Sequence, residues 1–370
     1  MYADLIHTGI NADGKTRKAP LDGVTFVKDA SPRHMIAVHH TTSADGGLEK
    51  KWLFDPAKVK RRAKTTTPLP DPGDLLKTAG VVETERVADP DMRATLVLTS
   101  TEEPNGVLVS KVRQEADGLR IGIDFWTRER ITDFLDVDGD GQWIRRKFLG
   151  TPVRRLSQSL LSDLSDLSLA RLERPDEGQA WVSRLADGEL GSVDRPIVFV
   201  TAPSGAGKTI LCRRRLQAHR AGGGIAIVLS HSVLEHATTL DAAIDLALRD
   251  LEPSLEPHQS AIPFCTADRP LLLLLEDINR SADPAGLVAK ILSWVPEKTL
   301  KDTAWRLFCP IWPTTWARLD DATRKKAEAM LFLPTPMSAV ECAIAVEARA
   351  KQAFGFATWT CASATRARPS

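Results

Sequence analysis

The sequence predicts an α/β protein: an N-terminal αβ domain, then a domain whose mainly parallel sheet is flanked by helices. Three observations predict it. Short β-branched and apolar runs alternate with stretches of helical length along most of the 370 residues. The apolar run Pro196 to Thr201 passes through the octapeptide Ala202-Pro203-Ser204-Gly205-Ala206-Gly207-Lys208-Thr209 into a Gly- and Pro-free stretch, Ile210 to Arg220. Strand, glycine loop and helix follow each other there. Finally, five leucines, Leu271 to Leu275, end in Glu276-Asp277, the pattern of a buried strand that delivers carboxylates at its end.

Residues 1–150 predict one αβ domain. Asp22 to Val27 and Met35 to Thr41 are strands, and residues 56–73, rich in Lys, Arg, Thr and Pro, form a basic loop. Asp74 to Val87 is a helix, followed by strand Ala94 to Thr99, helix Val107 to Ala116, strand Leu119 to Trp126 and helix Glu129 to Leu135. Asp136-Val137-Asp138-Gly139-Asp140-Gly141 resembles the start of a calcium loop. Lys147 stands at its twelfth position, where a Glu is needed, so a solvated turn is expected.

Residues 151–178 predict a helical linker. Its Leu156, Leu160, Leu161, Leu164, Leu167 and Leu169 include helical spacings of three and four, interleaved with Ser and Asp. Residues 179–356 form the second domain. Beyond the octapeptide come strand Gly224 to Ser230, helix Leu234 to Arg249, the leucine strand, helix Leu287 to Val295, strand Arg306 to Pro310, strand Leu331 to Pro334 and a helix from Ala339. Residues 357–370 lack a core pattern and are expected to form an irregular tail.

Composition narrows the function. With 49 Lys and Arg against 48 Asp and Glu, the net charge is +1, so no global field draws the chain to nucleic acid. No apolar run approaches the roughly 20 residues that span a bilayer, and no secretory signal is visible. The five cysteines, Cys212, Cys265, Cys309, Cys342 and Cys361, follow no zinc or disulfide spacing. A cytoplasmic protein is expected.

The octapeptide carries the chemistry. Gly205 and Gly207 allow the sharp turns that aim successive N–H groups of Ser204 to Thr209 at phosphate oxygens. The following helix adds the positive end of its dipole. Lys208 reaches the β- and γ-phosphates and the Thr209 hydroxyl ligates Mg2+. Ala202 stands where the usual pattern has its first glycine. Of Glu276 and Asp277, one serves Mg2+ and the other orients the attacking water; their order leaves the assignment open. The expected ligands are ATP, ahead of GTP, and Mg2+. The strand ending in Cys309-Pro310 offers no polar sensor of its own; Thr314, Thr315 and Arg318 follow it.

On Gly205-Ala206-Gly207-Lys208-Thr209, the Leu271–Asp277 strand and Leu331 to Val346 with Pro334, Ser338 and Glu341, the second half resembles STAND NTPases, a branch of the AAA-like P-loop proteins. Glu276-Asp277-Ile278-Asn279-Arg280 is also similar to the acidic strand of McrB-type restriction motors. The first half is similar to restriction-endonuclease-like domains of the Mrr, PD-(D/E)xK kind. Tyr2 to Thr8 matches the end of their first helix, and Pro20-Leu21-Asp22-Gly23-Val24 the strand bearing a metal carboxylate. That resemblance implies Asp22 as a nuclease residue. The family's second acid and Lys are replaced by His39-His40-Thr41, with Glu49, Lys50 and Lys51 nearby as substitutes.

Together the resemblances imply a nucleotide-driven switch with slow hydrolysis that controls a nuclease-like effector in prokaryotic antiviral defence. DNA is an expected partner of the first domain, and nucleotide-dependent homo-oligomers are expected. A DNA-dependent restriction-type motor and a catalytically silent nucleotide-binding scaffold are the alternatives.

Overall fold

The computed structural model describes residues 6–7, 20–43, 45–59, 69–172, 182–295 and 303–354. The chain divides into two compact units, Met1–Val137 and Asp138–Ser370. Both are α/β; the first sheet is mixed and the second parallel.

The N-terminal unit runs β1 (Ile6–His7), β2 (Gly23–Phe26), β3 (His34–Thr41), α1 (Asp45–Leu53), α2 (Asp74–Ala88), β4 (Arg93–Ser100), α3 (Gly106–Gly118), β5 (Gly122–Trp126) and α4 (Arg128–Val137). Its strands lie in the order β1-β2-β3-β4-β5. The first three pair antiparallel, and β3, β4 and β5 are parallel. Period-two alternation decides which side chains meet the helices. Met35 and Ala37 of β3 with Ala94, Leu96 and Leu98 of β4 pack against Leu48 and Trp52 of α1, Leu75, Ala79 and Val82 of α2, and Val112 of α3. The opposite face buries Ile36, Val38 and Val97, with Trp126 against them.

The C-terminal unit runs α5 (Gly139–Leu149), α6 (Gln158–Ala170), α7 (Leu185–Gly191), β6 (Ile197–Thr201), α8 (Lys208–Ala221), β7 (Ala226–Ser230), α9 (His231–His236), α10 (Leu240–Leu251), β8 (Leu271–Glu276), α11 (Pro284–Ser293), β9 (Trp305–Ile311), α12 (Pro313–Ala317), α13 (Asp321–Glu328), β10 (Leu331–Phe332) and α14 (Ala339–Phe354). The sheet order is β10-β6-β9-β8-β7, every pair parallel. Such a sheet is buried on both faces, which is why its strands read as continuous apolar runs. Leu271 to Leu275 are all fully buried. Leu272 and Leu274 join Val198, Val200 and Phe308 against Leu211, Cys212 and Leu216 of α8. Leu271, Leu273 and Leu275 join Ile197, Phe199 and Leu307 against α6, α10 and α11.

Several expectations are corrected. Ile6–His7 is a strand paired to β2, where the family resemblance implied a helix end. The segment around Asp138 is no free turn: the Asp138 carboxylate accepts from the Asp140 and Gly141 N–H groups and caps α5. That helix belongs to the second compact unit, which begins at Asp138. The linker helix is a core element. Leu160, Leu161 and Leu164 are fully buried against the second sheet. Its serines seal an edge: Ser165 Oγ accepts from Ala226 N and donates to Ala226 O (both 2.8 Å), and Ser168 Oγ accepts from Val228 N at 2.8 Å. The helix expected over Leu234 to Arg249 is two, α9 and α10, because Thr239 starts a new helix by accepting from Ala242 N. The proposed tail, Cys361 and residues 60–68 of the basic loop lie outside the described residues.

Candidate functional site

In open parallel sheets, ligands bind beyond the carboxyl ends of strands, where neighbouring connections leave on opposite faces. Here that place is between β6 and β9. The helix leaving β6, α8, packs on one face of the sheet, and the segment leaving β9 packs on the other through Leu319 and Ala327. Ala202 to Thr209 leaves the end of β6 at this crevice.

The loop is built as its glycines require. Gly205 and Gly207 have φ of 79° and 78°, a region that side-chain-bearing residues rarely adopt. Ala206 N donates to Pro203 O at 3.2 Å, and α8 begins at Lys208 directly after Gly207. Ser204 and Thr209 are exposed. Lys208 is only 7 % exposed, and its ammonium donates to Ala202 O at 2.8 Å and Pro203 O at 3.0 Å. No carboxylate pairs with it among the described residues, and burial pulls its pKa below the usual lysine value. A buried cation with only main-chain dipoles around it suits an arriving anion.

The acidic strand β8 lies beyond β9, two strands from β6, and ends on the same side of the sheet. Thr201 pairs with Ile311 of β9, and Leu274 of β8 pairs with Phe308. Continued two residues, that register sets Glu276 level with Pro310, two strand spacings, about 10 Å, from β6. Glu276 ends β8; Asp277 takes a left-handed φ of 57° and turns its carboxylate to Arg280 at 3.2 Å. The two acids are therefore inequivalent.

Two residues not singled out in the sequence belong to this edge. Asn279 Oδ1 accepts from Trp312 N at 3.0 Å and from Thr315 Oγ1 at 2.8 Å, locking the end of β8 to the end of β9. Of the residues considered after β9, Thr315 is thus drawn in. Arg184 donates to Ala206 O at 3.1 Å in the glycine loop and to Thr335 O at 3.4 Å after β10. Glu341 caps α14 through Ser338 N and also accepts from Leu185 N, at 2.7 and 2.8 Å. The signal for Asn279 was a polar residue just past an acidic strand; Arg184 stood just before α7 without a motif.

In the N-terminal unit, Asp22 lies immediately before β2. Its Oδ2 accepts from His40 N at 2.8 Å and lies 3.4 Å from His39 Nδ1. His39 is buried on the helix-covered face and His40 is exposed, bonded to Thr99 Oγ1. Burial pushes the His39 pKa down, against the opposing pull of Asp74 and Asp22. Of the expected substitutes, Glu49 is drawn to Lys111 on α3 and Lys50 lies over the Phe54 ring at 6.0 Å. Only Lys51 approaches an acid, and that acid is Asp74, missed in the sequence. Among the described residues, no three His, Cys, Asp or Glu side chains are grouped to hold a metal by themselves, and no helix is long and apolar enough to cross a membrane. The chain matches no protein-family model and no curated protein.

Proposed function

We infer that the C-terminal unit binds a nucleoside triphosphate, ATP ahead of GTP, in the loop 202–209, and that slow hydrolysis makes it a P-loop switch of the STAND, AAA-like kind. The observation that carries this is Lys208: a buried ammonium without an acid partner, at the start of α8, inside a loop whose two glycines take left-handed backbone. The strand order supports it, because β9 lies between the loop strand and the acidic strand and all three are parallel, so the loop and the acids sit at the same end of the sheet. Main-chain N–H groups of Ser204 to Thr209 and the Lys208 ammonium hold the phosphates. Bound Mg2+ neutralises charge on the phosphate oxygens. Thr209 and Glu276 are the residues to hold it, since hard cations take hydroxyl and carboxylate oxygens and complete their shell with phosphate and water. Asp277, paired with Arg280, is the acid left to orient water. Asn279 fixes the β9 end against the acidic strand, and Arg184 links the loop to the segment leading into α14. In this reading nucleotide occupancy is felt at α14 through Arg184 and Glu341.

The N-terminal unit is the effector of this switch in the same reading, a restriction-endonuclease-like domain that contacts DNA, in antiviral defence. Asp22 remains its candidate nuclease carboxylate, with no second acid on β3.

The test is calorimetric titration of the full chain with ATP and GTP in Mg2+, beside Lys208→Ala, while phosphate release is followed with and without plasmid. Slow turnover indifferent to DNA is expected. Unchanged affinity in Lys208→Ala overturns the loop assignment, and turnover that climbs steeply with duplex favours the motor. Any Mg2+-dependent nicking should vanish in Asp22→Ala.

A further inference from the structure

A cavity of about 350 Å3 opens in the N-terminal unit between α1 and the start of α2. Ser43, Gly47, Lys50, Lys51 and Phe54, one face of α1 and its flanks, line one side; Lys77 of α2 and the Pro70–Pro72 segment line the other. Gly47 keeps the space open, since the nearest atom to a side chain there is Ser43 Cβ at 3.4 Å.

The charges are arranged unevenly. Asp74 is fully buried, and its Oδ1 alone takes both the Lys51 ammonium at 3.3 Å and the Lys77 ammonium at 3.2 Å. Asp74 Oδ2 has no hydrogen-bond partner. One carboxylate thus anchors two ammonium groups, each with three donors, and both remain part-exposed where they line the cavity. Lys50 adds a third cation and Asp71, also on the rim, one further acid. Helix dipoles account for lysines at the end of α1 and for an aspartate at the start of α2. They do not account for burying Asp74 completely beneath two cations, an arrangement that costs desolvation.

We propose that this cavity is a single-stranded nucleic-acid subsite, in which Lys50, Lys51 and Lys77 hold a backbone phosphate and Phe54 carries a base. The proposal rests on the reading of the N-terminal unit as a DNA-contacting domain. An excess of fixed ammonium groups selects an anion over a metal cation. A cationic groove with an aromatic platform is the general solution for binding a strand without reading its sequence. Asp74 acts as a positioning residue: it fixes the two ammonium groups before the phosphate arrives.

The test uses the full chain with Lys208→Ala, so that the glycine loop contributes nothing, in EDTA, so that no cleavage enters. Fluorescence anisotropy with a labelled oligothymidine of about twelve nucleotides reads binding across a salt series. Lys51→Gln with Lys77→Gln should weaken binding about tenfold and lower the salt slope by about one to two. Phe54→Ala should weaken it about tenfold with the slope unchanged. Lys50→Gln, which disturbs no ion pair with Asp74, should cost about threefold at an unchanged melting temperature. Lys111→Gln should have no effect. Loss of none of the affinity in Lys50→Gln overturns the proposal even if the double variant fails to fold. Orthophosphate that stabilises the chain through Lys51 and Lys77 while the oligonucleotide does not bind makes this a free-anion site and overturns it too. Failure here leaves the Asp22 nicking result untouched, so the two readings fail separately.

Discussion

The two units treat a buried charge in opposite ways. In the C-terminal unit Lys208 is buried among main-chain carbonyls, with no acid beside it among the described residues. In the N-terminal unit Asp74 is buried deeper still but holds two ammonium groups. An uncompensated buried cation leaves its cost to be repaid by a ligand; a cluster whose positive charge Asp74 already offsets in part has less to gain. The first should bind an anion tightly, and the second weakly and with strong salt dependence.

The largest effect tests that contrast directly. Lys208→Ala should lower ATP affinity by about 100-fold, because a charge-assisted contact in a desolvated site is lost. The same substitution should leave oligonucleotide binding by the N-terminal unit unchanged; parallel titrations of both ligands decide it. Next, Glu276→Gln should reduce phosphate release by about 100-fold with ATP still bound, while Asp277→Asn, whose acid already pairs with Arg280, should cost about tenfold or less. Equal losses would erase the inequivalence seen at the end of β8. Ser165→Ala should destabilise the C-terminal unit by about 1–2 kcal/mol in urea denaturation, since it strands the main chain of Ala226. The smallest effect is in pH. His39 and His219 both have pKa values lowered by burial, so each unfolded unit binds more protons than the folded one. The stability they contribute is present above pH ~6.5 and is lost as pH falls below it. Burial leads in both; at His39 it is opposed by Asp74 and Asp22 and reinforced by Lys77 and Lys51, and at His219 it is opposed by the hydrogen bond to Pro270 O and reinforced by Arg215, Arg269 and Arg306. Thermal melts of His219→Gln and His39→Gln should therefore each flatten the acid slope.

Local signals were legible where one physical rule decides. The β6–loop–α8 passage could be read because glycines at 205 and 207 have one use before a helix, and β8 because five leucines fit only a strand covered on both faces. The role of α6 was not legible. Leucine spacing gave a helix, but the pairing of Ser165 and Ser168 with β7 depends on a sheet edge arriving from elsewhere in the chain. Asp74 was hidden for a similar reason: as the first residue of a helix it looked like an ordinary dipole partner, and only the approach of α1 brings Lys51 to it. Arg184 acts through main-chain carbonyls, which carry no mark in a sequence, and Asn279 shows there only as a polar residue past the acidic strand, its partners Trp312 N and Thr315 Oγ1 supplied by the fold.

The serines of α6 have a consequence for assembly. With β7 capped by hydroxyl groups, no second chain can extend the C-terminal sheet from that side. The opposite margin, β10, is two residues long and gives a docking strand little purchase. Pairing between copies through the C-terminal sheet is therefore disfavoured at both of its edges, and that sheet stays a private scaffold within each copy.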